Sequence, residues 1–274
     1  MPFYKGSRVR RITAALFLIL ILFGGCKKYS IAGQNFRFPL SAEPRQIDPQ
    51  VSTDSASVTM VAALFEGLAR LDETGKAQPA AATWKVSDDG LTYTFTLYDS
   101  KWSDGSPVTA HDFVYGMRRA VLPSTRSSLA EQMFDIKNAQ KVNGGSLDVS
   151  KLGVKALNDR QLTITLAKPN SEFPLKTAST PFMPCKQSFF ESTGGRYGLE
   201  CEYILSNGAF FLKTWTHNKS LLLNRHEGYH DADHVLPAAV RYMVGKVDDP
   251  VRLLSEGLLD AAPLPAVVLD KAKD

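Results

Sequence analysis

His226-Glu227-Gly228-Tyr229-His230 is the run whose residue types and spacing match a catalytic metal motif, HExxH. On a helix, histidines at i and i+4 project to one side and share Zn²⁺, while the glutamate polarises a bound water for peptide hydrolysis. His217 and His234 are near enough in sequence to serve as extra ligands, and Glu256 is the distant carboxylate. The local sequence opposes the helix this chemistry requires. Gly228 costs about 1 kcal/mol relative to alanine in a helix interior, and Leu221 to Arg225 reads as a strand running straight into the motif. A zinc metallopeptidase is therefore the lesser alternative, and no catalytic or metal-ligating residue is assigned. Asp88-Asp89 and Asp248-Asp249 read as a turn and a helix cap rather than as acid–base pairs. The sequence has no GxSxG elbow, no GxxxxGK(S/T) phosphate loop and no GxGxxG turn, so no cofactor is expected.

The chain carries 32 basic and 28 acidic side chains, a formal net charge of +4. Lys5, Arg8, Arg10 and Arg11 supply that excess, and the remainder is formally neutral. A neutral body has no basic surface with which to displace counterions from phosphates, which excludes a composition-level case for nucleic-acid binding. The four charges precede an apolar run, Ile12 to Phe23, too short for a membrane span of about twenty residues. Residues 1–25 read as a signal peptide, and Leu22-Phe23-Gly24-Gly25-Cys26 resembles a bacterial lipobox, with Cys26 as the acylated residue. Acyl chains worth about 0.8 kcal/mol per CH₂ would hold the protein at a membrane through a polar tether over residues 26–35. Cys185 and Cys201 remain. A bridge between them would contribute about 3 kcal/mol in the chain-entropy model; two small buried thiols are the other reading.

The elements that would position these groups are legible from periodicity. Leu91, Tyr93, Phe95 and Leu97 alternate with Thr92, Thr94 and Thr96, the pattern of a half-buried strand between turns at Asp89-Gly90 and Asp104-Gly105. Thr109-Ala-His-Asp112 has the form of a capping box, and the helix behind it carries Phe113, Val114, Met117 and Val121 and stops at Pro123. A first strand is expected at Phe36 to Leu40 and a helix over Ser57 to Leu68, with Val58, Val61, Ala62, Phe65 and Leu68 on its buried face. Further on come a helical stretch around Ser127 to Val142, a hairpin turning at Asn158-Asp159, and strands at Ala209 to Trp215, Leu221 to Asn224 and Ala239 to Val244. Asp249-Pro250 starts a last helix as N-cap and first residue. Trp84, Trp102 and Trp215 are expected in the core.

Ordered along the chain are Glu43-Pro44, Ile47-Asp48-Pro49, Leu64-Phe65-Glu66-Gly67-Leu68, the KWSDGSPVTAHDFVY run from Lys101 to Tyr115, Leu152-Gly153-Val154-Lys155-Ala156, Ser206-Asn207-Gly208-Ala209-Phe210 and Gly257-Leu258-Leu259-Asp260. Together these resemble the solute-binding proteins of peptide ABC transporters, the oligopeptide- and dipeptide-binding family. Tyr98 stands where that family usually has Arg, and His230 follows Tyr229 where Trp is usual.

The resemblance implies an α/β, periplasmic-binding-protein-like fold of the type II, oligopeptide-binding kind. Lobe I would begin over residues 36–65, an inserted smaller subdomain would occupy 66–192, and lobe I would resume, incomplete, over 193–274. The second lobe has no counterpart, since family chains run on for about as much again. The implied function is capture of small peptides, mainly through their backbone, for import by ABC transporter permease subunits, on the periplasmic side of a bacterial membrane; a truncated remnant that no longer binds is the alternative. No enzymatic activity is implied. By family position Thr53, Asp54 and Ser55 lie on the ligand cleft, and Ala262 to Pro265 would form a second rim. There Pro263 and Pro265 lack the N–H groups that pair with an extended ligand. The family's usual partner for the peptide's amino terminus falls in the absent lobe.

Overall fold

The computed structural model describes residues 33–245 and 249–262. The signal segment, Cys26 with its lipidation, and Pro263 to Pro265 lie outside the described residues. Two four-stranded sheets organise the rest. The first has the order β1-β10-β9-β8, from β1 (Asn35–Leu40), β8 (Phe210–Thr216), β9 (Ser220–Arg225) and β10 (Ala239–Val244). β1 pairs parallel with β10, Asn35 against Ala239 and Leu40 against Val244, while β8, β9 and β10 form an antiparallel meander. Leu40, Leu212, Leu221, Leu223 and Val240 are buried on one side of this sheet. Helix α1 (Ser55–Leu64) supplies Met60, Val61 and Leu64 to the same core.

The intervening chain builds β2 (Ala69–Leu71), β3 (Ala77–Pro79), β4 (Ala82–Val86), β5 (Thr92–Leu97), β6 (Val154–Asn158) and β7 (Gln161–Thr165). β2 and β3 form a separate hairpin, and the second four-stranded sheet is β4-β5-β7-β6, antiparallel throughout. The expected alternation holds in it. Tyr93, Phe95 and Leu97 are buried, whereas Thr92 and Thr94 pair with Thr165 and Thr163 on the opposite face. An antiparallel sheet with one face on the core and one in water reads this way. Helix α2 (Ala110–Val121) covers the apolar face against β6 and β7. Its capping box forms, and one Asp112 carboxylate oxygen accepts from Thr109 N–H at 2.8 Å, Thr109 Oγ1 at 3.0 Å and Trp102 Nε1 at 3.1 Å. Residues from both sheets belong to one continuous buried cluster.

Three local expectations are corrected. The helix expected over Ser57 to Leu68 spans Ser55–Leu64, because Asp54 caps it and Phe65 is already extended. The Asn207 amide then clasps the Glu66 backbone at N and O, 3.1 and 3.0 Å. The helical stretch expected around Ser127 to Val142 is divided into a 3-10 turn, Ala130–Met133, and a five-residue α-helix, Ala139–Asn143. Asn138 between them is left-handed, φ 68°, and Ile136 bridges to Leu166 of the second sheet. Of the tryptophans, Trp102 is fully buried while Trp84 and Trp215 are only partly so.

Candidate functional site

The residues expected at the cleft sit at the start of α1, where the loop after β1 turns into the helix. Asp54 is the N-cap: its Oδ1 accepts from Ser57 N–H at 3.0 Å. Its carboxylate is thereby turned toward its own helix. Thr53 and Ser55 are exposed on either side of it, and the Ser55 carbonyl accepts from Thr59 Oγ1 at 2.8 Å. The rim thus combines exposed hydroxyls with the first turn of a ten-residue helix, whose leading N–H groups carry partial positive charge. Asp54 already caps this helix start, so the exposed Thr53 and Ser55 are the groups left to meet a ligand there.

What holds the rim is buried beneath it. The Arg119 guanidinium on α2 reaches Asp48 with its Nη2 2.7 Å from Oδ2, and its Nη1 donates to Gln50 Oε1 at 2.9 Å and lies 3.4 Å from Asp48 Oδ1. Its flat face lies 3.9 Å from the Phe190 ring centroid. The Gln50 Nε2 donates to the Met183 carbonyl at 3.0 Å, and Ser127 Oγ donates to the Gln50 carbonyl at 2.5 Å. Ser52 Oγ donates to Gln46 O at 2.6 Å and accepts from Asp48 N–H at 3.1 Å. The side chains of Asp48, Gln50 and Ser52 are all tied inward and buried, and Thr53 is the first fully exposed residue after them. Arg119, Gln50 and Ser127 carried no signal in the sequence, because partners some seventy or more positions apart leave no local pattern.

Cys185 and Cys201 are both free. The buried Cys185 thiol accepts from Arg119 at 3.4 Å, and burial pushes its pKa up to about 12. Cys201 donates instead to the Leu212 carbonyl at 3.6 Å, and burial raises its pKa as well.

The HExxH residues lie on a turn after β9, not on a helix, and they diverge. His226 is buried with Nδ1 3.1 Å from the Gly208 carbonyl, and Glu227 pairs with Arg225 at 2.8 Å. His230 Nε2 lies 2.7 Å from Glu66, which also accepts from Tyr229 Oη at 2.5 Å. His234 pairs with Asp231, His217 bridges Glu43 and Glu200, and Glu256 pairs with Arg252. Among the described residues, no group of three or more His, Cys, Asp or Glu side chains is arranged to hold a metal ion. The Tyr98 ring stacks on His230 at 5.2 Å and 18°.

The fold defines a class, the bacterial solute-binding proteins. The chain belongs to the bacterial extracellular solute-binding proteins, family 5, whose Middle region matches residues 76–274. It is 36% identical over 214 residues to the probable deoxycholate-binding periplasmic protein YgiS of Escherichia coli, covering 77% of this chain and 40% of that one. The oligopeptide-binding protein OppA of Bacillus subtilis is 32% identical over 267 residues, covering 93% and 49%. The structure of Listeria monocytogenes OppA bound to peptide superposes with a TM-score of 0.78 at 33% identity, covering 83% of this chain and 46% of that one. The chain therefore spans about half the length of the relatives it matches. Among the described residues, no helix is long and apolar enough to cross a membrane.

Proposed function

We propose that this protein is the solute-capturing component of a peptide ABC importer, with the rim at Thr53, Asp54 and Ser55 forming one edge of the ligand cleft. The observation that carries the reading is the likeness to an OppA structure with peptide bound, combined with the exposed Thr53 and Ser55 at the start of α1. In this reading the peptide pairs through its backbone, which gives affinity common to all sequences and leaves its side chains in wet pockets. Thr53 and Ser55 offer hydroxyls, and Asp54 sets the helix start against which the ligand lies. The segment 1–25 directs export, Cys26 carries the lipid that keeps the protein on the periplasmic side of the cell membrane, and permease subunits receive the loaded protein.

Titration calorimetry with mixed tri- to pentapeptides, and separately with deoxycholate, tests this. Saturable heat with peptides, lost in Thr53→Ala/Ser55→Ala, supports the proposal. Heat with deoxycholate alone, or none at millimolar peptide from a protein that melts cooperatively, overturns it. Labelling with radioactive palmitate that disappears in Cys26→Ser reports on the lipid independently of binding.

A further inference from the structure

Arg119 and Asp48 are respectively 7% and 2% exposed, so the pair has been taken out of water almost completely. A buried ion pair is seldom a source of net stability, because desolvating two charges offsets most of their attraction. An apolar pair of the same volume would hold α2 to the loop as well. What the charged pair adds is a defined position, and every contact around it serves that end. The guanidinium is held flat over Phe190 at 3.9 Å, with Tyr197 at 5.5 Å. Its two terminal nitrogens divide between Asp48 and Gln50. Asp48 in turn accepts from Gln50 N–H at 3.0 Å through Oδ1, while its carbonyl accepts from Ser52 N–H at 2.9 Å. The bolt thus fixes Asp48, Gln50 and Ser52, and the next residue is Thr53.

We infer that Arg119 is a positioning residue for the ligand-cleft rim: lodged in α2, it sets the height and tilt of the loop that presents Thr53 and the start of α1. A lysine at this position would keep the charge but lacks the planar fork that spans Asp48 and Gln50 and cannot lie flat on Phe190. The ligand half of the inference rests on the proposed function; the half concerning rim order does not.

The test uses Arg119→Met and Arg119→Lys in the full chain, with two readouts. Amide hydrogen exchange is followed over residues 50–58 and, as reference, over the second sheet. Peptide affinity is measured by calorimetry. The expected result for Arg119→Met is exchange about tenfold faster over 50–58 with the second sheet unchanged, Arg119→Lys falling between it and wild type. Peptide affinity should fall about tenfold although no ligand contact has been removed. Should Arg119→Met fail to fold, Gln50→Ala decides, since it removes the acceptor that Arg119 Nη1 holds in the loop, along with the bridge to Met183, and leaves the Asp48 ion pair; faster exchange confined to the same stretch is expected. Unchanged exchange over 50–58, or acceleration spread evenly over both sheets, would overturn the inference. If wild type binds no peptide while the exchange arm behaves as expected, the functional proposal fails and the positioning role stands.

Discussion

His217 lies between two carboxylates, Nδ1 2.6 Å from Glu43 and Nε2 2.9 Å from Glu200, and Trp215 stands beside it. Only the doubly protonated ring donates to both, and hydrogen bonds to Glu200 and Glu43 raise its pKa. The stabilisation is fully present below the ordinary imidazole value of about 6.5 and drains away as pH rises through the raised one. The ring is 44% exposed, so water screens it, and the contribution is held to about 0.5 kcal/mol. His217→Gln should lower the unfolding midpoint near pH 5.5 and leave it unchanged near pH 9, as scanning calorimetry would register. His234 is likewise raised, by Asp231, and its pH dependence has the same sign. At the buried pair the scale differs: Asp48→Asn leaves the Arg119 charge without its partner and should cost about 3–5 kcal/mol in denaturant unfolding. A loss under 1 kcal/mol would mean water reaches the guanidinium. The sequence disclosed the types of these residues but not their partners. HExxH shows the limit of reading by spacing, because its chemistry needs a helix and the flanking strand and Gly228 turn the motif into a turn.

At the scale of elements, local chemistry was legible wherever it was self-contained. The Thr109–Asp112 box, the alternation of β5, the hairpin β6–β7 and the Asp249-Pro250 helix start all form where the sequence puts them. Failures occur where a distant chain segment decides. Asn207 strips Glu66 from the end of α1, and Leu166 draws Ile136 out of the helix expected around it. Asp112 illustrates how an element's cap becomes a tertiary tie, since its carboxylate also holds the buried Trp102 indole N–H at 3.1 Å. Burial raises its pKa even though Thr109 and Trp102 donate to it. Asp112→Ala should therefore cost about 2–3 kcal/mol, more than a lost cap, because it also orphans that indole; a cost near 1 kcal/mol would show that Trp102 finds another acceptor. Gly116 marks where α2 passes the 183–185 segment: an added Cβ would lie 2.5 Å from the Met183 carbonyl and 3.3 Å from Gln50 Nε2. Gly116→Ala, favourable for helix propensity, should nevertheless destabilise by about 2 kcal/mol in urea titration, because backbone cannot move aside as a side-chain tip can.

At the scale of the molecule, the two sheets share one core, so their unfolding should be a single event. Tryptophan fluorescence, which samples Trp84 in the second sheet, the buried Trp102 and Trp215 in the first sheet, should melt in step with far-ultraviolet circular dichroism; separate midpoints would reveal independent units. The parallel pairing of β1 with β10 carries a further consequence. Asn35 meets Ala239 across nearly the whole described chain, so the first sheet cannot close until its last strand has been synthesised. Loop closure over such a span is slow relative to local structure. Until residues 239–244 have been made, β1 has no partner in its sheet, and the amino-terminal part of the described chain stays extended and unclosed. A chain ended before residue 239 should leave β1 open to protease even when the second sheet has formed.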